Sequence, residues 1–288
     1  MKRLLFLLLP LLLLASLALA EQTALHATVP GSHTVSLSVG GHGEAAVGET
    51  LIGGDTALPV ARFGSLQIRV LPEWGYRLDT VHASSSHNLT IEGDVISLSG
   101  AVQDLSLSLS FVETDTPVMA LSAAELTLEP GMTLKMDARL APAQADAPAV
   151  WRSSDENVLS VSGGRVSALA EGRATVTAVC GDLSASCAVE VRRMKTLSFP
   201  SALREIADSA CRGNRSAECV RLPDGVRTVG AHAFEGCSNL RLAFLPSSVE
   251  SIGEGAFDGC DRLVLLCEEG ADAVIRYAKI HGIPCLLF

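Results

Sequence analysis

Apolar and polar residues alternate over much of this chain. Leu105, Leu107, Leu109 and Phe111 are separated by Ser106, Ser108 and Ser110, and Thr34-Val35-Ser36-Leu37-Ser38-Val39 has the same period of two. That period predicts strands with one buried and one wetted face. Leu66 to Val70 reads as a further strand, and Pro72 with Gly75 marks the turn after it. Ile91 to Leu98 reads as a hairpin around Gly93-Asp94. Residues 21–114 contain no amphipathic helix pattern of useful length, so they predict a small β-domain.

The pattern continues over residues 117–192. Short apolar runs at Leu126-Thr127-Leu128, Val158-Leu159-Ser160-Val161, Val166-Ser167-Ala168 and Ala174 to Val179 are spaced by Pro130-Gly131, Gly163-Gly164 and Glu171-Gly172. Regular short strands of this kind predict a β-sandwich. Trp151 lies within a strand pattern and is expected in its core rather than on a sugar. Ser153-Ser154-Asp155 reads as a capped turn, not as a nucleophile and metal ligand.

From residue 194 the period lengthens. Val226-Arg227-Thr228-Val229-Gly230-Ala231-His232-Ala233-Phe234-Glu235-Gly236-Cys237 returns 23 residues later as Val249 to Cys260. Phe199-Pro200, Leu222-Pro223 and Leu245-Pro246 share the spacing. Three units and a partial fourth follow, the first degraded at Cys211 and Asn214. Units this short bury their apolar faces only by stacking. Ile206, Val229 and Ile252 form one predicted core row, and Phe234 and Phe257 another. Cys237 and Cys260 are expected as buried thiols on successive rungs.

Three resemblances follow from these residues. Pro72-x-x-Gly75-Tyr76-x-Leu78, then Val81 and Phe111, resembles the internalin B-type repeats of bacterial surface proteins. Trp151-x-Ser153-Ser154-Asp155, Val158, Gly164-x-Val166-x-Ala168, Gly172-x-Ala174-x-Val176-x-Ala178 and Cys187-x-Val189-x-Val191 resembles the group 2 bacterial immunoglobulin-like domain. Leu-Pro-x-x-Val-x-x-Ile/Val-Gly-x-x-Ala-Phe-x-Gly-Cys-x-x-Leu resembles the BspA-type leucine-rich repeat. Together they imply a mainly β, multidomain surface protein: a small β-domain, an Ig-like sandwich, and a short leucine-rich-repeat solenoid with a C-terminal helix cap. They also imply adhesion, with the repeats as recognition surface and the β-domains as spacers. The partner class implied is a protein or a cell-surface glycan.

Composition narrows the chemistry. Lys2 and Arg3, the apolar run Leu4 to Leu17 and Ala18-Leu19-Ala20 have the layout of a signal peptide over residues 1–20. Secretion or cell-surface association is therefore expected, with no membrane insertion once the leader is cleaved. The net charge of −10 repels phosphate backbones and argues against nucleic acid. His26, His33, His42, His82 and His87 lack metal-ligand spacing. No nucleophile elbow, His-Glu-x-x-His helix or nucleotide loop occurs, so no catalytic residue, metal or cofactor is assigned. Two other readings are a self-associating envelope protein, and an enzyme whose site in residues 21–114 gathers His33, His82 or His87 with a carboxylate.

Eight cysteines all follow residue 179. In an oxidising compartment such numbers invite disulfides. Cys180 and Cys187 flank a turn and are one candidate pair. Cys267 with Cys285 is a second, and Cys211 with Cys219 a weaker third. Strand alternation in the repeats points Val220, Leu222, Ala243 and Leu245 inward. It points Arg221, Leu242, Phe244 and Leu265 outward, as a candidate binding surface. The competing expectation is that a neighbouring domain or the C-terminal segment covers that patch.

Overall fold

The computed structural model describes residues 31–86, 88–115, 117–141 and 149–288. The expected leader, His26 and His87 lie outside these residues.

The N-terminal domain is two sheets. Strands β1 (Ser32–Val39), β4 (Asp55–Ala61), β6 (Tyr76–Ala83) and β9 (Leu105–Glu113) form one, in the order β4-β1-β9-β6. Strands β2 (Gly43–Val47), β3 (Thr50–Ile52), β5 (Leu66–Pro72), β7 (Leu89–Glu92) and β8 (Val95–Leu98) form the other, in the order β3-β2-β5-β8-β7. The alternating serines explain the layering. Val35, Leu37, Leu107 and Leu109 are buried with Ile68, Val70 and Ile96, while Ser36, Ser106 and Ser108 face out. The β7–β8 hairpin turns on Gly93-Asp94, with Glu92 opposite Val95 and Gly93 at φ 58°.

The middle domain holds β10 (Val118–Leu121), β11 (Glu125–Leu128), β12 (Thr133–Lys135), β13 (Ala138–Ala141), β14 (Val150–Ser153), β15 (Leu159–Ser162), β16 (Arg165–Ala168), β17 (Gly172–Cys180) and β18 (Leu183–Val191). One sheet has the order β11-β18-β17-β14, and β10 pairs with β13. The β15–β16 hairpin places Gly163 and Gly164 at φ 55° and 82°, the geometry of a tight two-residue turn. Trp151 is half-buried and packs against this core. Asp155 accepts the Asn157 backbone N–H at 2.9 Å, and the Ser154 hydroxyl accepts that of Thr175 at 2.8 Å. The first caps the turn, and the second ties the turn to β17.

The repeats form two parallel ladders. The first runs through β19 (Thr196–Ser198), β21 (Cys219–Arg221), β23 (Leu242–Leu245), β25 (Val264–Cys267) and β26 (Cys285–Leu287). The second stacks β20 (Glu205–Ile206), β22 (Thr228–Val229) and β24 (Ser251–Ile252). Between them lie Ile206, Val229, Phe234, Leu240, Ile252 and Phe257. Phe234 and Phe257 stack with ring centroids 5.2 Å apart. Gly230 and Gly253 recur because each lies on the rung before it. A Cβ on Gly253 would sit 2.5 Å from the Ala231 nitrogen. The Cys237 thiol donates to the Cys211 carbonyl at 3.2 Å, and Cys260 to the Phe234 carbonyl at 3.3 Å. Burial pushes both thiols up, Cys260 to about 12. Helix α1 (Asp272–His281) closes the stack with Val274, Tyr277 and Ala278, and ends on Gly282 in the left-handed conformation.

Two joints tie these parts together. Beside β15, β16 and β12, the sheet order continues β26-β25-β23-β21-β19, with Lys135 opposite Leu287. The Ig-like sheet and the repeat sheet are thus one eight-stranded sheet. The N-terminal domain meets α1 through polar groups. Lys279 binds Glu44 at 2.8 Å, His281 binds Glu49 at 3.0 Å, and the Arg69 guanidinium donates to the Ile280 carbonyl at 2.6 Å.

Candidate functional site

The strand face of the repeats was the expected recognition surface, and most of it is interior. Leu242 and Phe244 are 0% and 4% exposed. Both belong to a core that also contains Leu128, Leu134, Met136, Val176 and Val189 of the Ig-like domain. Cys219, Val264, Leu266 and Leu286 complete the repeats' side of it. Every residue of β23 and β25 is buried, because one face meets the solenoid core and the other the sandwich. A parallel sheet covered on both faces carries continuous apolar runs, and Leu242-Ala243-Phe244-Leu245 is such a run.

Leu265 departs from expectation in a second way. It faces the solenoid core, with Ala243 as its neighbour, rather than the Ig-like side. Leu240 and Leu263 keep the repeat spacing, yet Leu242 pairs with Val264, one residue short of it. A one-residue slip inverts every side chain of a strand. Val264 and Leu266 therefore take the side expected of Leu265, and Leu265 turns inward. Of the four candidates only Arg221 keeps access to solvent. Its guanidinium lies 3.6 Å from the Phe244 ring centroid, and Phe288 packs edge-on to that ring at 5.2 Å.

The cysteines sort similarly. Cys180 lies opposite Leu183, and Cys187 opposite Val176. Gly181 and Asp182 alone make the turn, so these two are not cross-strand partners. Cys187 is instead a core residue, its thiol pushed up to about 12 by burial and by Glu125. Cys211 is half-buried against the solenoid core, while Cys219 faces the Ig-like domain. The Cys267 and Cys285 sulfurs are 3.4 Å apart, a thiol–thiol contact longer than a disulfide bond of about 2.05 Å. The Cys285 contact lowers Cys267, and the same contact raises Cys285.

Electrostatics concentrate at the joint. Glu218 accepts the Arg192 guanidinium at 2.9 Å and the Lys195 backbone N–H at 3.0 Å. Glu190 accepts Arg173 at 2.9 Å and Arg192 at 3.4 Å. The Arg192 hydrogen bond holds the Glu218 carboxyl below its usual range, and the Arg173 bond does the same for Glu190. Glu129 accepts the Met194 backbone N–H at 3.1 Å. The connecting residues 192–195 are thereby pinned to both domains.

Elsewhere, the described histidines His33, His42 and His281 lie beside different carboxylates, Asp104, Glu73 and Glu49. His33 is buried, 3.7 Å from Asp104, and its Nε2 has no partner. His82 opens onto a groove on the outer face of the β4-β1-β9-β6 sheet, where Asp55 also lies. Asp55 is engaged by the Ser38 hydroxyl at 2.6 Å rather than by an imidazole. Among the described residues no three His, Cys, Asp or Glu side chains gather as metal ligands, and no helix is long and apolar enough to cross a membrane.

Ig-like domains and leucine-rich repeats are modules that suggest a surface protein with protein-interaction roles. Residues 115–191 match the bacterial Ig-like domain (group 2), and residues 184–266 match the BspA type leucine rich repeat region, in six copies. The chain therefore carries both modules. The repeat match begins within β18, whereas the first strand of the parallel stack is β19. No curated protein matches the chain. Among solved structures, the T. pallidum leucine rich repeat protein is 30% identical with a TM-score of 0.24, over 25% of this chain and 40% of that one. The S-layer protein rSbsC(31-844) is 14% identical with a TM-score of 0.25, over 51% of this chain and 25% of that one. This chain thus spans under half the length of either. The families found are binding domains rather than catalytic ones.

Proposed function

We propose that this is a secreted or cell-surface adhesion protein whose binding unit is the Ig-like domain and the repeats acting as one body. The observation that carries this reading is the shared core, in which Leu242 and Phe244 of the repeats pack with Leu128, Leu134 and Val176 of the sandwich. A flexible spacer would not bury its neighbour's central strands. The basic start, apolar run and Ala18-Leu19-Ala20 site support export. Arg221, at the rim of the joint, is the candidate contact that remains exposed. The flank of the stack adds paired charges, Arg227 with Glu250 at 3.2 Å and Arg212 with Glu235 at 2.8 Å. A charged rim around a rigid body suits a protein ligand.

The test is a pull-down with residues 21–288 against host matrix proteins, cell-wall glycans and the producing cells. Fragment 117–288 retains the binding found, and Arg221→Glu weakens it. A fragment of the repeats alone that folds and binds equally well would overturn the joint-body reading.

A further inference from the structure

A cavity in the N-terminal domain is lined by no residue of the Ig-like domain or the repeats. It is a groove of about 770 Å³ on the outer face of the β4-β1-β9-β6 sheet. Pockets of this size, within about 300–1,000 Å³, take ligands. Parallel pairing of β1 with β9 sets Ser36 beside Ser106 and Ser38 beside Ser108. Antiparallel pairing with β6 sets His82 across from Ser108. The result is a grid of hydroxyls on a rigid sheet.

The lining chemistry selects the occupant. No Lys or Arg lines the groove, so phosphate, sulfate and uronate find no counter-charge there. Its one carboxylate, Asp55, already accepts the Ser38 hydroxyl at 2.6 Å. Carbon makes up most of the lining surface, so the occupant presents carbon faces as well, yet a wholly apolar ligand would strip water from the serines at about 1–3 kcal/mol for each unsatisfied group. A peptide strand adds to a sheet edge, but the groove centres on β1 and β9, whose backbones are paired on both sides. Ser38 gives its donor to Asp55 and Ser84 accepts the Ser106 N–H, while the hydroxyls of Ser36, Ser106 and Ser108 each offer one donor and two acceptors. A ligand that is itself an uncharged array of hydroxyls matches this. Ala57 and Ala83 leave low apolar walls for ring C–H groups.

We propose that this groove binds a neutral glycan chain. The proposal goes beyond the reading of the repeats, since it needs neither Arg221 nor the joint. Native-gel affinity electrophoresis of residues 21–288 in dextran, a soluble β-1,4-glucan or galactomannan tests it, with heparin as the anionic arm. At least one neutral polymer is expected to retard the protein, and Ser36→Val with Ser106→Val and Ser108→Val to abolish the shift. Valine suits a strand surface, and circular dichroism checks the fold. Should the triple variant misfold, Ser108→Tyr blocks the groove with one change and must reduce the shift at least fivefold. No retardation by any neutral polymer, retardation by heparin alone, or a shift that survives Ser108→Tyr in a folded protein overturns the proposal. Any of these leaves the pull-down on the Ig-like and repeat body untouched.

Discussion

The Tyr277 hydroxyl accepts the Phe257 backbone N–H at 3.3 Å. One rung earlier the Phe234 N–H donates to the Ala256 carbonyl at 2.7 Å, and before that Cys211 donates to Ala233 at 2.7 Å. The last rung has no successor to supply a carbonyl. Helix α1 supplies a phenol instead, so the buried Phe257 N–H keeps an acceptor.

Tyr277→Phe keeps the ring against Phe257 but removes that acceptor. A buried N–H left unsatisfied costs about 1–3 kcal/mol. Urea denaturation of the whole chain is expected to show a loss of that size. An unchanged midpoint would mean that water replaces the phenol.

Phe244 carries the joint between sandwich and stack. Phe244→Ala is expected to cost about 3–5 kcal/mol, and Leu242→Ala about 2–5 kcal/mol. Both should shift the unfolding of residues 117–288 as one transition, followed by fluorescence and circular dichroism together. Separate transitions for the two domains would show that the shared core is not cooperative. A fragment of residues 194–288 exposes Leu242, Phe244, Val264 and Leu266, and should bind a hydrophobic dye strongly.

Gly253 touches the rung before it. A methyl group there meets the Ala231 backbone at 2.5 Å. Gly253→Ala is expected to destabilise by about 1–3 kcal/mol, the usual range for overpacking. The same change at Gly181, which has open space around it, gives no clash but meets a φ of 58°. Comparing the two separates crowding from backbone strain.

Acid should loosen the joint. The folded carboxyls of Glu218 and Glu190 lie below their usual range, held there by Arg192 and Arg173. Their stabilisation is present above the unfolded carboxylate value and is lost as pH falls through the folded one. Thermal midpoints measured from pH 7 down to pH 3 should therefore fall, and Glu218→Gln should flatten part of that slope. A slope unchanged by the substitution would assign the acid sensitivity elsewhere.

Peptide mapping after mild oxidation should link Cys267 to Cys285, the pair whose sulfurs already touch. It should not link Cys180 to Cys187. Recovery of the latter cross-link would require a different β17–β18 register.

Much of this protein is settled locally. The period of two in Leu105 to Phe111 is enough to form β9, because a strand sorts alternate side chains to opposite faces wherever it lies. The recurrence of Gly230 and Gly253, Phe234 and Phe257, and Cys237 and Cys260 likewise dictates a stack, since each rung buries itself only on a copy of itself. What the repeats face is a different kind of fact. Leu242 and Phe244 look the same in the sequence whether they await a partner or already have one. Packing against Leu134 and Val176, more than a hundred and about seventy residues away from any local cue, made them core. Leu265 turned inward through a shortening of one residue that only strand pairing exposes. The groove over Ser36, Ser106 and Ser108 also waited on the fold. Its hydroxyls are distant in the chain, and the parallel register of β1 and β9 set them side by side.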